Sequence, residues 1–428
     1  MMQVIIVGGG WAGCAAALQA AKMGAHATLL ERTDMLLGTG LVGGIMRNNG
    51  RFTATEELIA MGGGEIFQTI DTNYLHKNIQ FPGHDHASLY NVATMEPIIK
   101  KLLLKAGVEI LCQTRVTDAE MEDKAIRAVL AKNRETGETV KLEGDAFIDT
   151  TGTAGPMANC TKYGKGCAMC VLRCHSFGGR VSLAAKAGVQ EMICKRGDQT
   201  GAFSGSCKLF KESLAPEILE TLNTNGVVVV PLPKDKALTG KLAIKACQQY
   251  ALPEFANSII LLDTGHAKLM TSFFPLDMLR QVPGFETARF EDPYSGGIGN
   301  SVRYMGMSPR DDSLKVKGVL NLFCGGEKAG LLVGHTEAIC TGVLAGHNAV
   351  KYAQGKDLLI LPEATAIGDA VRHVRKSMQT EKGMSLKYTF SGSVFFERMK
   401  EKGLYSKDPQ TIAKRVNEAG VSGVFNQK

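Results

Sequence analysis

QVIIVGGGWAGCAAALQAAKMGAHATLLER, residues 3–32, decides the fold. Val4–Val7 is a short β-branched apolar run, the pattern of a strand buried on both faces of a parallel sheet. Gly8, Gly10 and Gly13 follow in G-x-G-x-x-G spacing. CAAALQAAKMG (14–24) reads as a helix of small residues ending at Gly24. HATLL (26–30) reads as a second strand, with Glu31 and Arg32 at its end. The spacing has a physical meaning. Gly8 makes the tight turn, Gly10 lets a pyrophosphate approach the backbone, and Gly13 lets helix and strand pack closely. The helix N-terminus faces the phosphates. Glu31, 23 residues beyond Gly8 (31 − 8), can accept hydrogen bonds from a ribose. A glycine-rich turn arising by chance would not bring the whole strand–helix–strand context with it.

Three further segments choose between dinucleotides. AGVEILCQTRVTDAEMED (106–123) reads as strand, turn and strand, and DAFIDTTGTAG (145–155) as a strand ending at Thr151 and Gly152. GVLNLFCGGEKAGLLVGHTEAICTGVLAGHNAV (318–350) reads as a strand, a turn at Gly325, Gly326 and Glu327, and a long helix of small residues. Such a helix can aim its positive end at a flavin ring oxygen. An NAD dehydrogenase has no need of the third segment, so FAD is the expected cofactor. Residues 120–147 read as a hairpin turning near Glu135–Glu138.

In this order the segments resemble the glutathione-reductase-type flavoproteins. The resemblance implies that Val116 lies beside the adenine, and that Thr151, Gly152, Gly326 and Glu327 join Gly8, Gly10, Gly13, Glu31 and Arg32 at the cofactor. LRQVPGFETARF (279–290), GGIGN (296–300) and EAICTGVLAGHNA (337–349) resemble the tRNA-modifying flavoproteins. These comprise the glucose-inhibited-division type and the folate-dependent tRNA uridine methyltransferases. The front half, with LYNVATMEPIIKKLLLKAGVEIL (89–111), is equally similar to a broad family of bacterial FAD-dependent oxidoreductases. The implied architecture is α/β. A discontinuous Rossmann-like FAD-binding domain takes residues 1–50, 90–158 and 300–360. A substrate or cap domain takes 160–300, and a helical C-terminal element, 361–428, serves as a small cap or a dimer element. Two departures separate the chain from the tRNA enzymes. GLVGGIMRNNGRF (40–52) lacks the cysteine that the methyltransferases carry there, and only 78 residues (428 − 350) follow the last flavin helix. RNA modification, methyl or carbon transfer through FAD and a folate, is therefore the alternative to electron or hydride transfer with a small-molecule substrate.

NCTKYGKGCAMCVLRCHSFGGR (159–180) holds four of the eleven cysteines, and neither tRNA family has such a run after its second flavin segment. Cys160, Cys167, Cys170 and Cys174 begin eight residues after Gly152 (160 − 152), where the chain leaves the flavin domain. Thiolates this dense repel one another unless a cation or cluster neutralises them. A [4Fe–4S] cluster is the first expectation, since it would pass single electrons to a flavin. Zinc is the rival, a redox dithiol the third reading, and inert thiols the fourth. Cys14, Cys112, Cys247 and Cys340 read as buried apolar side chains.

Arg47 and Arg51 could clamp an anionic substrate or contact the FAD pyrophosphate. Arg303 and Tyr304 would face the flavin ring in related folds. His84 and His86, two apart, would share one face of a strand, though a polar loop is the simpler reading. Hydrophobic residues at 44% exclude a disordered chain. A net charge of +7 (49 − 42) is too mild to argue for nucleic acid. No apolar run suits a membrane span, and the N-terminus reads as a strand rather than a signal peptide. The expectation is a cytoplasmic enzyme with NAD(P)H or ferredoxin as electron donor, and a homodimer as its assembly.

Overall fold

The computed structural model describes residues 2–153, 174–196, 199–200, 202–204, 206–244, 248–271, 274–291, 301–303 and 305–426. The apolar run at the N-terminus forms the middle strand, Gln3–Val7, of a five-stranded parallel sheet. Across the sheet the order is Leu322–Cys324, Ala146–Asp149, Gln3–Val7, His26–Leu30, Glu109–Leu111. Val4, Ile5 and Ile6 have no exposed surface, as a strand covered on both faces requires. The helix Trp11–Lys22 crosses from the first strand to the second. Thr114–Glu122, Ala125–Asn133 and Thr139–Glu143 form the antiparallel excursion expected between 120 and 147.

The helix His335–Ala353 lies against Trp11–Lys22 at backbone distance. A Cβ at Gly342 would stand 2.3 Å from Ala12 O, and one at Gly346 would stand 2.4 Å from Ala16 O. Facing small residues are what let the two helices touch, so the third flavin segment is locked to the first.

A second sheet is antiparallel, in the order Cys207–Leu209, Ala267–Leu269, Ser258–Asp263, Val227–Pro231. Strand alternation splits its faces. Ile259 and Leu261 join a core with Leu209, Leu269, Phe274 and Phe285. Ile260 and Leu262 join another with Ile45, Phe81, Leu89, Tyr250 and Met270. That second core places the hairpin Tyr74–Phe81/His84–Tyr90, with Ile45–Met46 paired to it, on the inner face of the sheet. The roof over the central sheet thus draws on residues between 45 and 90 as well as on those beyond 200.

The C-terminal element, 361–428, is expected to serve as a small cap or a dimer element. Within it Val371, Val374, Phe395, Val416 and Phe425 are part of the main core. Buried Glu57 accepts from the backbone N–H groups of Ala366 (2.8 Å) and Ile367 (3.0 Å) at the start of helix Ala366–Ser377. It also takes Arg415 at 2.9 Å. A helix N-terminus and a guanidinium around one carboxylate tie the C-terminal helices to the helix Gly50–Ala60.

Gly342→Val forces a branched side chain into Ala12. We expect a loss of stability of about 1–3 kcal/mol or more, read as a lower Tm, whereas Gly355→Ala, in open surroundings at φ +67°, costs mainly its backbone strain and leaves the helix pair intact.

Candidate dinucleotide cleft

The three segments converge on one cleft. At its centre is the turn after the first strand. Gly8 has φ +103°, and a Cβ there would stand 2.6 Å from Thr150 O. A Cβ at Gly13 would stand 1.8 Å from Gly8 O, so this glycine serves the packing of helix on strand. Gly10 differs, since nothing lies within 4 Å of its missing Cβ and it lines the cleft. No side chain caps the N-terminus of Trp11–Lys22 at Gly10, so its backbone donors face the space a pyrophosphate would take. Glu31 Oε2 accepts from Gly9 N (2.7 Å) and Oε1 from Thr33 N (2.8 Å). Its carboxylate therefore braces the glycine turn while bordering the cleft.

The walls carry the remaining predicted residues. Arg32 and Val116 line the cleft beside Glu31, with Thr114 and Arg115. Arg32 donates to Gly178 O and Arg115 to Gly179 O, each at 2.7 Å. Thr151 and Gly152 lie next to the glycine turn, held by buried Asp149, which accepts from Thr151 N (3.0 Å) and Thr151 Oγ1 (2.7 Å). Gly326 and Glu327 form the opposite edge. Gly326 N donates to Thr341 Oγ1 (2.9 Å), and Thr153 Oγ1 donates to Glu327 Oε2 (2.7 Å). The N-terminus of His335–Ala353 opens onto the far end through Gly334 and His335. A turn without side chains, uncapped helix donors and a bordering carboxylate are what the two phosphates and ribose of FAD need, so the residues present fit the cofactor.

The roof faces the cleft with Gln249, Tyr250, Lys268 and Met270. Lys268 is buried, and its Nζ donates to Val42 O in the short helix Gly40–Gly43 that borders the cleft. Alternation explains it: Ala267 and Leu269 fill the roof's outer core, which turns Lys268 and Met270 inward.

A family model described as FAD dependent oxidoreductase matches residues 3–160, and one described as Glucose inhibited division protein A matches residues 264–357. A methylenetetrahydrofolate–tRNA-(uracil-5-)-methyltransferase TrmFO of Streptococcus sanguinis is 32% identical over 99 residues, 23% of this chain and 21% of that protein. Its namesake in Methylobacterium radiotolerans is 28% identical over 196 residues, 45% of this chain and 39% of that one. The chain thus spans less than half the length of these curated relatives. The structure of Aquifex aeolicus GidA superposes on 97% of this chain and 76% of its own, with a TM-score of 0.62 at 16% identity, a likeness of fold. The N-terminal third of the chain is thus similar to the FAD-dependent oxidoreductases.

Other expectations need correction or fall elsewhere. Arg47 does not line the cleft: its guanidinium is engaged by Asp71 and by Glu56, the latter at 2.5 Å. With φ +58° at Arg47, the chain turns this side chain away toward the helix Glu65–Asp71. Arg51 does line it, with buried Glu337 3.1 Å from its Nε. The backbone of Arg303 pairs with Ala202, and Tyr304 lies outside the described residues. His84 and His86 do not share a face, because the strand is irregular there and His86 has φ +58°. His84 is buried behind the roof, its Nε2 3.0 Å from Gln249 O and its ring stacked on Phe81. His86 bonds Asn78.

Of the cysteine run, Cys160, Cys167 and Cys170 lie outside the described residues, and Cys174 opens the short helix Cys174–Phe177. Among the described residues no group of three or more His, Cys, Asp or Glu side chains could hold a metal ion. Cys14 and Cys340 are buried as expected, which pushes both thiols up. Cys112 is half-buried, and Cys247 lies outside the described residues. Sequence reasoning missed Lys268, Tyr250 and His335. For Lys268 the signal was present in the alternating HAKLM (266–270); for Tyr250, outside any strand or long helix, there was none.

Burial lowers the pKa of His84 to about 3. The folded protein therefore holds a neutral ring that the unfolded chain protonates below about pH 6.5. Stability should fall as pH drops through 6.5, by on the order of 2 kcal/mol at pH 5 from this group. Denaturant titrations at pH 7 and pH 5 should show that loss, and His84→Gln should show a smaller one.

Proposed function

We propose that the protein is an FAD-dependent oxidoreductase that exchanges electrons or hydride with a small-molecule substrate held between the dinucleotide cleft and the roof. The observation that carries the reading is the convergence of Gly10, Glu31, Thr151, Gly326 and the His335 helix on one cleft, faced by a separate polar surface at Gln249, Tyr250 and Lys268. Gly8, Gly10 and the start of Trp11–Lys22 would hold the pyrophosphate, and Glu31 the ribose. Val116, Arg32 and Arg115 would border the adenosine end. Bound FAD supplies two-electron hydride or two single-electron transfers. The chain's own part is to orient the substrate from the roof and exclude water. A cytoplasmic location, an external donor such as NAD(P)H or ferredoxin, and a homodimer belong to the same proposal. No helix among the described residues is long and apolar enough to cross a membrane.

A second reading is modification of RNA, favoured by the match to Glucose inhibited division protein A over 264–357 and by the curated relatives named as tRNA methyltransferases. Two assays separate them. Anaerobic reduction with NAD(P)H or dithionite, followed by reoxidation with a metabolite panel, should reveal an electron acceptor. Methylation of bulk tRNA with a folate donor should be absent, and robust methylation would replace the first reading by the second. In either case Glu31→Ala should weaken FAD binding about tenfold or more, about 1.4 kcal/mol, in a fluorescence titration.

The four-cysteine run is retained as the site of a [4Fe–4S] cluster, with zinc as rival, on sequence grounds. Its flanks support closeness to the cofactor, since Gly152 before it and Arg180 and Val181 after it line the cleft. Anaerobically purified protein should contain iron and sulfide in matching amounts, and Cys170→Ser should lose both while keeping FAD. Stoichiometric zinc without iron would reassign the site.

A further inference from the structure

Lys387 and Cys194 meet in the interior, 193 positions apart in the chain, with Nζ 3.0 Å from Sγ. Cys194 has no exposed surface and Lys387 is 3% exposed. Among the described residues the Lys387 amine has no other hydrogen-bond or ion-pair partner. Cys194 otherwise sits in the main apolar core, where a hydrocarbon side chain would fill the Lys387 position at lower cost. Neither residue lines the dinucleotide cleft, so cofactor binding does not account for the pair.

Both side chains stand on backbone fixed by hydrogen bonds. Cys194 N donates to Met305 O (3.1 Å), and the adjoining Met192–Ile193 pairs with Gly306–Met307. Lys387 precedes Tyr388, whose N–H donates to Leu331 O (2.9 Å) and whose carbonyl accepts from Val333 N (2.8 Å). The contact therefore joins the chain entering the roof to the C-terminal strap beside Gly334 and His335.

We propose that Cys194 and Lys387 form an oxidative modification site that closes to a covalent sulfur–nitrogen cross-link in the presence of hydrogen peroxide. In the first step the thiol sulfur attacks one peroxide oxygen. The O–O bond breaks, a sulfenic acid forms at Cys194, and water leaves. In the second, the Lys387 nitrogen attacks that sulfur through its lone pair. An S–N bond forms, the S–O bond breaks, and the hydroxyl leaves as water with a proton from the amine. One peroxide is reduced to water, the sulfur is oxidised by two electrons, and the pair is lighter by two hydrogens. A buried sulfenic acid ordinarily waits for a second thiol; here the amine is the nucleophile already in contact. Peroxide is small and uncharged, so burial does not bar it as it would bar a charged oxidant. The cross-link would fix the roof's lead-in segment to the strap, and a thiol reductant would reopen it.

The test uses the full chain treated with hydrogen peroxide, then quenched, digested and mapped by mass spectrometry. The expected product is a Cys194–Lys387 peptide pair with the summed mass less two hydrogens, absent after dithiothreitol. The treated protein should also show a Tm raised by a few degrees, because the link closes a long loop. Lys387→Arg should abolish the pair and leave Cys194 open to capture by dimedone. Recovery of Cys194 as a free thiol while half-buried Cys112 oxidises would overturn the proposal. So would dimedone capture of Cys194 in the wild type without any cross-link. The wild-type map decides without a variant, so a poorly folded Lys387→Arg protein does not spoil the test, and no step depends on whether FAD is bound.

Discussion

The close approach of backbone to backbone around Gly8, Gly13 and Gly342 is the constraint on which the rest of the structure depends. Gly13 sits on the carbonyl of Gly8, and Gly342 sits on the backbone of Ala12. The first contact seats a helix on the central strand with its uncapped donors at the turn. The second brings a helix from more than three hundred residues away against it, so that its own N-terminus reaches the same cleft. Only glycine, which has no Cβ, allows these distances, and the cleft exists because the surfaces that would fill it are missing.

Charged groups buried behind the walls hold that arrangement. Asp149 fixes the backbone at Thr151 and Ala184, the latter at 2.9 Å, and Lys328 lies beside it, bonded to Ser182 at 2.9 Å and to Glu191. Burial lowers the pKa of Lys328, which the Asp149 carboxylate opposes. Arg51 and Glu337 tie the loop helix to the third flavin segment, and Glu337 also accepts from Phe390 N at 2.8 Å. Removing one member of such a pair leaves a buried charge unmatched, a cost of about 3–5 kcal/mol. The walls are therefore braced from behind by matched buried charges.

The sequence revealed the central sheet because each of its signals is local: β-branched runs, glycine spacing, a carboxylate at a strand end. It revealed the third flavin segment for the same reason. The roof was less legible. Its strands are short, and Lys268 depends on a register in which Ala267 and Leu269 face away. Tyr250 reaches the cleft only through the packing of His84, Phe81 and Phe255 around it. Arg47 misled because proximity in sequence to Arg51 says nothing about a positive φ. The C-terminal helices looked separable, since their apolar faces could meet any partner. The partner is the main core, bound through Glu57, a residue with no distinguishing pattern in the sequence.

An FAD site in this cleft is tested by the cofactor released on denaturing protein purified without added nucleotide, or after incubation with FAD and NAD together. We expect a yellow protein that releases FAD in near-equimolar amount. A colourless protein that takes up NAD, or neither dinucleotide, would contradict it.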